Sequence, residues 1–350
     1  MSTRHALPIG EVIGGHWVVD GPLGEGGMAV VVAARHAQTG MPVAIKILTR
    51  AEPDAAERFE REAMTMARLE SRRAVTIHEF GRLPTGAPYL VMDRLEGETV
   101  AAILDRKGPL PLSEALVYAS QAARGLAEAH AVGIVHRDVK PSNLFVTRGA
   151  DGGPFVVILD FGLAKPIPIF GTAQPVTATR DLLGTPAFLA PEQIESTRTI
   201  DARSDVWALG ATLYKMLTGH PPFIGEHPAQ VCKKILHDEP VPIGRLRPEL
   251  PSAIARIVQR CMTKDPDARY QSMADLLAHL DSPPTDETAP TDPRLPLPPQ
   301  PQKQIATAPR RKAAKRPRKR RIDAVTIIVG LAVLCASAGL IFVIAAILKR

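Results

Sequence analysis

The chain has 350 residues, 45% of them hydrophobic and 23% charged, which is enough for one sizeable buried core. Its net charge of +7 is concentrated at one end: nine Lys and Arg stand between Arg310 and Arg321, and residues 1–309 carry 32 basic and 35 acidic side chains, a net of −3. That balance excludes a nucleic-acid-binding body by charge, and Cys232, Cys261 and Cys335 form no close pair, which excludes a disulfide framework or a cysteine metal cage.

Met1 to Trp17 contains no apolar run of signal-peptide length, so no export is expected. Leu23-Gly24-Glu25-Gly26-Gly27-Met28-Ala29-Val30-Val31 is a glycine-rich hairpin candidate, in which small residues let backbone amides close over phosphates. Val43-Ala44-Ile45-Lys46 reads as a strand carrying one inward lysine. Between Glu57 and Leu69 the apolar residues Phe59, Met66 and Leu69 recur at helical spacing. Glu62 sits near that stripe, where an unpaired carboxylate is costly; pairing with Lys46 resolves both charges. Ser71-Arg72-Arg73-Ala74-Val75 follows as a basic turn.

Helical runs are predicted over Ser113–Ala131, Asp205–Leu217, Pro228–Leu236, Ala253–Met262 and Met273–Leu280. Strands come first and helices dominate later, with no internal repeat, which favours an α+β class. The loop His136-Arg137-Asp138-Val139-Lys140-Pro141-Ser142-Asn143 concentrates an acid, a cation and an amide in eight residues. Phosphoryl transfer needs that set: a carboxylate to accept a hydroxyl proton, a charge beside the moving phosphate, and a metal ligand. Phe155 to Leu159 is a buried-strand candidate, reached through a hairpin whose turn is Gly152-Gly153, and it ends at Asp160-Phe161-Gly162. Ala190-Pro191-Glu192 closes the next segment, and Glu192 with Arg269 suits a buried ion pair.

These motifs, in this order over residues 17 to 280, resemble the bacterial eukaryotic-like serine/threonine protein kinases. The resemblance implies a two-lobed kinase fold, with a small β-rich N-lobe over 17–95 and a larger, mainly helical C-lobe over 96–280. It implies ATP and Mg²⁺ as cofactors, with Mn²⁺ as an alternative, and transfer to Ser or Thr hydroxyls of protein substrates. Asp138 is then the catalytic base, Lys140 stabilises the transferred phosphate, and Asn143 and Asp160 bind metal. Lys46 positions the α- and β-phosphates and Glu62 holds Lys46. The glycine-rich residues Gly24 to Met28 cover the phosphates. Leu23, Val31, Ala44 and Phe145 sandwich the adenine, Met92 gates the back of its pocket, and the backbone of Asp93 and Leu95 bonds its edge. Lys140 after Asp138, and Thr185 in Gly184-Thr185-Pro186, match serine/threonine rather than tyrosine specificity. Ala29 stands where the usual pattern has a third glycine, which stiffens the loop slightly. A pseudokinase scaffold is the alternative; intact Lys46, Asp138 and Asp160 disfavour it. A lipid-surface adaptor is the weaker third reading.

Asp160 to Glu192 carries Pro166, Pro168, Gly171 and Pro175, which deny it regular structure. Thr172, Thr177 and Thr179 are candidate phosphorylation sites, with Thr177 and Thr179 expected in trans-autophosphorylation and Arg137 the cation to receive them.

Beyond the domain, 281–309 holds nine prolines in 29 residues and reads as a disordered linker. The polybasic segment spans 310–323. Ala324 to Leu348 is an uninterrupted run of 25 uncharged residues, roughly 37 Å as a helix and long enough to cross a ~30 Å hydrocarbon core. Nine cations before it against two after place the kinase domain in the cytoplasm, at the inner membrane, where the basic patch meets anionic lipid. No sensing domain of its own is expected beyond the span. Ala332/Ala336 and Cys335/Gly339 have small-residue spacing suited to a transient homodimer, although a plain lipid-facing surface fits the same residues.

Overall fold

The computed structural model describes residues 7–25, 29–49, 57, 59–60, 63–64, 66, 69–161, 186–195 and 200–282. All of them belong to residues 1–290, the first of two units into which the chain divides. The run 324–348 lies outside the described residues, and no described helix is long and apolar enough to cross a membrane.

The N-terminal lobe is a six-stranded antiparallel sheet: β1 (Val12–Ile13), β2 (Trp17–Glu25), β3 (Ala29–His36), β4 (Pro42–Leu48), β5 (Ile77–Arg82) and β6 (Pro88–Asp93), in the order β1-β2-β3-β4-β6-β5. The first strand falls within residues 1–16, which the sequence motifs leave as an N-terminal lead, so the sheet starts ahead of those motifs. Alternation along β4 sorts its residues by face. Val43, Ile45 and Ile47 join Val19, Val32 and Val91 in one apolar cluster. Ala44, Lys46 and Leu48 take the other face, where Leu48 and Leu90 pack with Phe59 and Ala63, two of the described helical residues before the turn at 71. Lys46 pairs in register with Val31 and Leu90, so it is the inward lysine of the strand.

The C-terminal lobe is built on helices α1 (Val100–Lys107), α2 (Leu112–Ala131), α3 (Pro191–Glu195), α4 (Ala202–Thr218), α5 (Pro228–His237), α6 (Ile243–Leu246), α7 (Ser252–Cys261) and α8 (Met273–Asp281). A small sheet, β7 (Glu98–Thr99), β8 (Leu144–Arg148) and β9 (Pro154–Ile158), completes it. Sequence polarity sets the ends. Thr99 caps α1 on the Ala102 amide, Asp201 caps α4 on Arg203, and Gly219 closes α4 in the left-handed region. The central helices α2 and α4 bury Leu126, Val206, Trp207 and Leu209 in one core with Phe161. A β-rich lobe followed by a mainly helical one is the two-lobed kinase architecture.

Candidate active site

The loop from His136 to Asn143 is held from below by one carboxylate. Asp205, on the first turn of α4, is fully buried. Its Oδ2 accepts from His130 Nε2 and from the His136 amide, both at 2.8 Å, and its Oδ1 accepts from the Arg137 amide at 2.8 Å. Two successive loop amides thus find their acceptor on another helix, as buried donors require. Gln193 of α3 adds a second tie, donating to the Arg137 carbonyl at 2.9 Å while accepting from Ala190.

His136 is buried and uses both ring nitrogens. Nδ1 accepts from the Asp138 amide at 3.1 Å, and Nε2 faces the Leu159 carbonyl at 3.1 Å, which requires the neutral Nε2–H tautomer. Burial lowers its pKa below the ordinary 6.5, outweighing the upward pull of Asp205 and Asp138. The imidazole also packs against the Phe161 ring, tilted 41° to it, at 4.6 Å between centroids.

Asp138 therefore projects from a braced loop. Its carboxylate receives Lys140 Nζ at 2.8 Å and Asn143 Nδ2 at 2.9 Å, and Asn143 also donates to the Asp138 carbonyl. The Asn143 carbonyl in turn accepts from the Leu159 amide at 2.8 Å, tying the loop to the strand end that delivers Asp160. Lys46 Nζ lies 2.7 Å from Asp160 Oδ1, so the lysine of the upper lobe and the carboxylate of the lower face one point. Arg137 (φ +65°) and Asp160 (φ +47°) are the non-glycine residues with left-handed backbone among those described, and both stand here. Such backbone costs on the order of 1–3 kcal/mol per residue and persists where the surroundings over-determine it.

The adenine side follows from strand register. Ala44 lies opposite Ala33 on one flank and Met92 on the other. Leu23, Gly24 and Glu25 end β2, with Gly24 opposite Val31. The Asp93 amide donates to the Thr76 carbonyl at 3.1 Å, which leaves the Asp93 carbonyl as the group able to accept from a purine amine. Gly97 is at φ +142°, and a Cβ there would stand 2.1 Å from the Val146 carbonyl and 3.1 Å from the Phe145 ring. Phe145 is thereby brought close beneath Gly97, and Leu95 is partly buried against the core of the lower lobe. Gly26, Gly27, Met28, Glu62, Thr172, Thr177, Thr179 and Thr185 lie outside the described residues.

Asn143 and Asp160 supply an amide oxygen and a half-exposed carboxylate on two segments joined by a hydrogen bond. These are hard oxygen donors, few in number, which suits Mg²⁺ held jointly with phosphates rather than by a protein cage. Among the described residues no cluster of three His, Cys, Asp or Glu could hold a metal alone.

Glu192 and Arg269 form the anticipated pair, doubly bonded at 2.8 Å, with Arg269 also donating to the carbonyls of Thr263, Arg203 and Lys264. Burial alone would raise the Glu192 carboxyl, but Arg269 and the Ser204 hydroxyl outweigh it and hold the group below its ordinary value. Asp205-Val206-Trp207 was legible as the opening of an apolar helix that fits the motif set, but not as the brace of the loop; His130 and Gln193 are the functional residues that motif reading missed. A carboxylate inside the apolar run of α4 was the available signal, since a buried charge must find donors.

Comparison with known proteins agrees with the geometry. The protein kinase domain model matches residues 17–280. The serine/threonine-protein kinase PknB of Mycolicibacterium smegmatis is 36% identical over 264 residues, covering 74% of this chain and 41% of that protein. PknB of Mycobacterium leprae is 35% identical over the same length, with the same coverage. The chain thus spans about two fifths of the length of these curated relatives. Among solved structures, Rad53 1-466 in complex with AMP-PNP superposes with a TM-score of 0.61 at 26% identity, over 75% of this chain and 64% of that one. With its motifs in order and its loop geometry intact, the chain belongs to the protein kinase domain family.

Proposed function

We propose that the chain is an ATP-dependent serine/threonine protein kinase, tethered to the inner membrane and switched on by trans-autophosphorylation between Asp160 and Glu192. The observation that carries the chemistry is the Asp138 carboxylate, oriented by Lys140 and Asn143 on a loop braced by Asp205. Asp138 accepts the proton of the attacking hydroxyl as its oxygen bonds the γ-phosphorus and the bond from that phosphorus to the β–γ bridging oxygen breaks, releasing ADP. Lys140, beside it, balances charge on the moving phosphoryl group, and Lys46 orients the phosphates that remain with the nucleotide. Asn143 and Asp160 are the residues that would hold Mg²⁺, which would supply positive charge to offset that of the phosphates.

Support for the switch comes from Arg137. Its Nε is buried without a hydrogen-bond partner among the described residues, next to the catalytic aspartate. A phosphothreonine supplies the acceptor and the opposite charge. The tether is read from the 25 uncharged residues 324–348 and the basic residues preceding them.

The test is label transfer from γ-labelled ATP with Mg²⁺, with Asp138→Asn as control and mass spectrometry of the product. Loss of the base should cost about 10²–10⁴ in rate with nucleotide binding kept. Equal labelling of the variant would sink the assignment of Asp138, nucleotide binding without transfer would favour a scaffold, and an unmodified 160–192 segment in active enzyme would remove the proposed switch.

A further inference from the structure

The turn Ser71–Val75 follows the upper-lobe helix whose described residues include Phe59, Ala63 and Met66, precedes β5, and makes its contacts in the other lobe. Its backbone joins the strand that ends at the site: the Arg73 carbonyl accepts from the Ile158 amide at 2.7 Å, the Val75 amide donates to the Ile158 carbonyl at 3.3 Å, and Ala74 bridges Ile158 in parallel. Asp160 is two residues further on.

The Arg73 side chain adds a second anchor. Nη1 donates to Gln121 Oε1 of α2 at 3.0 Å, and the guanidinium lies 4.7 Å from the centre of the Phe155 ring on β9. Gln121 is itself a junction, accepting from the Val156 amide at 2.8 Å and donating to the Pro154 carbonyl at 2.7 Å. One amide therefore ties α2, the first half of β9 and the turn together. Ser71 reinforces it, accepting from the Arg73 amide and donating to Glu128.

Gly125 shows how close the approach is. A Cβ at this position in α2 would stand 2.9 Å from Arg73 Cβ and 2.8 Å from Ile158 Cδ1. Glycine inside a helix costs roughly 1 kcal/mol relative to alanine, and the packed turn explains its presence.

We propose that Arg73 is a positioning residue for phosphotransfer: it clamps the end of the upper-lobe helix to β9 and α2, so that this helix and the strand delivering Asp160 move as one body. It touches neither nucleotide nor acceptor hydroxyl. The proposal rests on the kinase reading given above.

The full chain is compared as wild type, Arg73→Ala and Arg73→Lys, with dephosphorylated casein as acceptor, together with amide hydrogen exchange. Arg73→Ala should lower kcat about tenfold with KM for ATP within about twofold, the pattern of an interaction that matters in the transition state. Exchange should rise together in 57–70 and 154–161 while β2–β4 stay protected. Lysine keeps a charge over Phe155 but loses the planar fork, so it should restore part of both effects. Unchanged exchange in those two stretches, or a rise spread evenly through β2–β4, overturns the clamp. A wild type that transfers no phosphate overturns the kinase reading and with it the catalytic consequence, so the two failures are told apart.

Discussion

Asp205 presents two oxygens to three donors, all within 2.8 Å, and has no surface exposed to water. Each buried donor left without an acceptor costs about 1–3 kcal/mol. Asp205→Asn keeps the shape but turns an N–H toward a loop amide, so it should destabilise the protein by about 2 kcal/mol and release the catalytic loop. Denaturant unfolding and phosphotransfer rate together check this; a variant with wild-type stability and rate would mean that Gln193 alone braces the loop. His136 makes a prediction about acid. Its folded-state pKa lies below the unfolded value of 6.5, because burial disfavours the imidazolium. Both states are neutral above 6.5, so stability is full there. As pH falls below 6.5 the unfolded chain takes up a proton first, and stability declines until the folded pKa is reached. Unfolding followed from pH 7.5 to 5.5 should therefore show a slope that His136→Phe flattens, even though that variant, missing two hydrogen bonds, starts lower.

The helical elements differ in how much of them could be read in advance. The runs at α2, α4, α5, α7 and α8 were legible because each spans at least two turns of apolar spacing, and the observed ends differ by a few residues at most. α1, α3 and α6 were not. α1 buries only Val100, Ile103 and Leu104, and α3 and α6 have five and four residues, too few for a period to emerge. Phe155 to Leu159 read as a strand, but Leu159 leaves it to bond with Asn143 and so aims Asp160. Motif residues such as Asp138 and Asp160 were visible because their spacing is local. The bonds that brace them were not, because Asp205 stands 69 residues from His136 and Gln121 stands 48 from Arg73. The Glu192–Arg269 pair joins α3 to the turn before α8 and can be tested as a connection between elements. Glu192→Ala leaves a buried guanidinium unpaired and should cost about 3–5 kcal/mol, whereas an apolar replacement of both partners should recover most of it. The pair also responds to acid. Because the Glu192 carboxyl is held below its ordinary 4.5, its contribution is full above that value and is lost as pH falls through the depressed one. Denaturation of the single and double variants at pH 7 and below 4 measures both effects; equal loss in the double variant would deny the coupling.

For the whole molecule, the proposed tether rests on two parts of the tail, which would make separable demands on a membrane. The segment Arg310 to Arg321 carries nine cations in twelve residues, and attraction of that kind to anionic lipid is worth about 1 kcal/mol per cation and fades with salt. The 25 uncharged residues after it need no anionic lipid, and burying them in hydrocarbon is insensitive to ionic strength. The body cannot substitute for either, since residues 1–309 carry a net of −3 and are repelled by an anionic surface. Three chains therefore separate the terms: the full protein, one lacking 324–350, and one lacking 310–350. The first should stay with neutral and anionic vesicles alike after a 1 M salt wash. The second should bind anionic vesicles alone and leave them in salt, and the third should bind neither. Retention of the first only at low salt would reduce the tether to a surface attraction, and the proposed span would have to be abandoned.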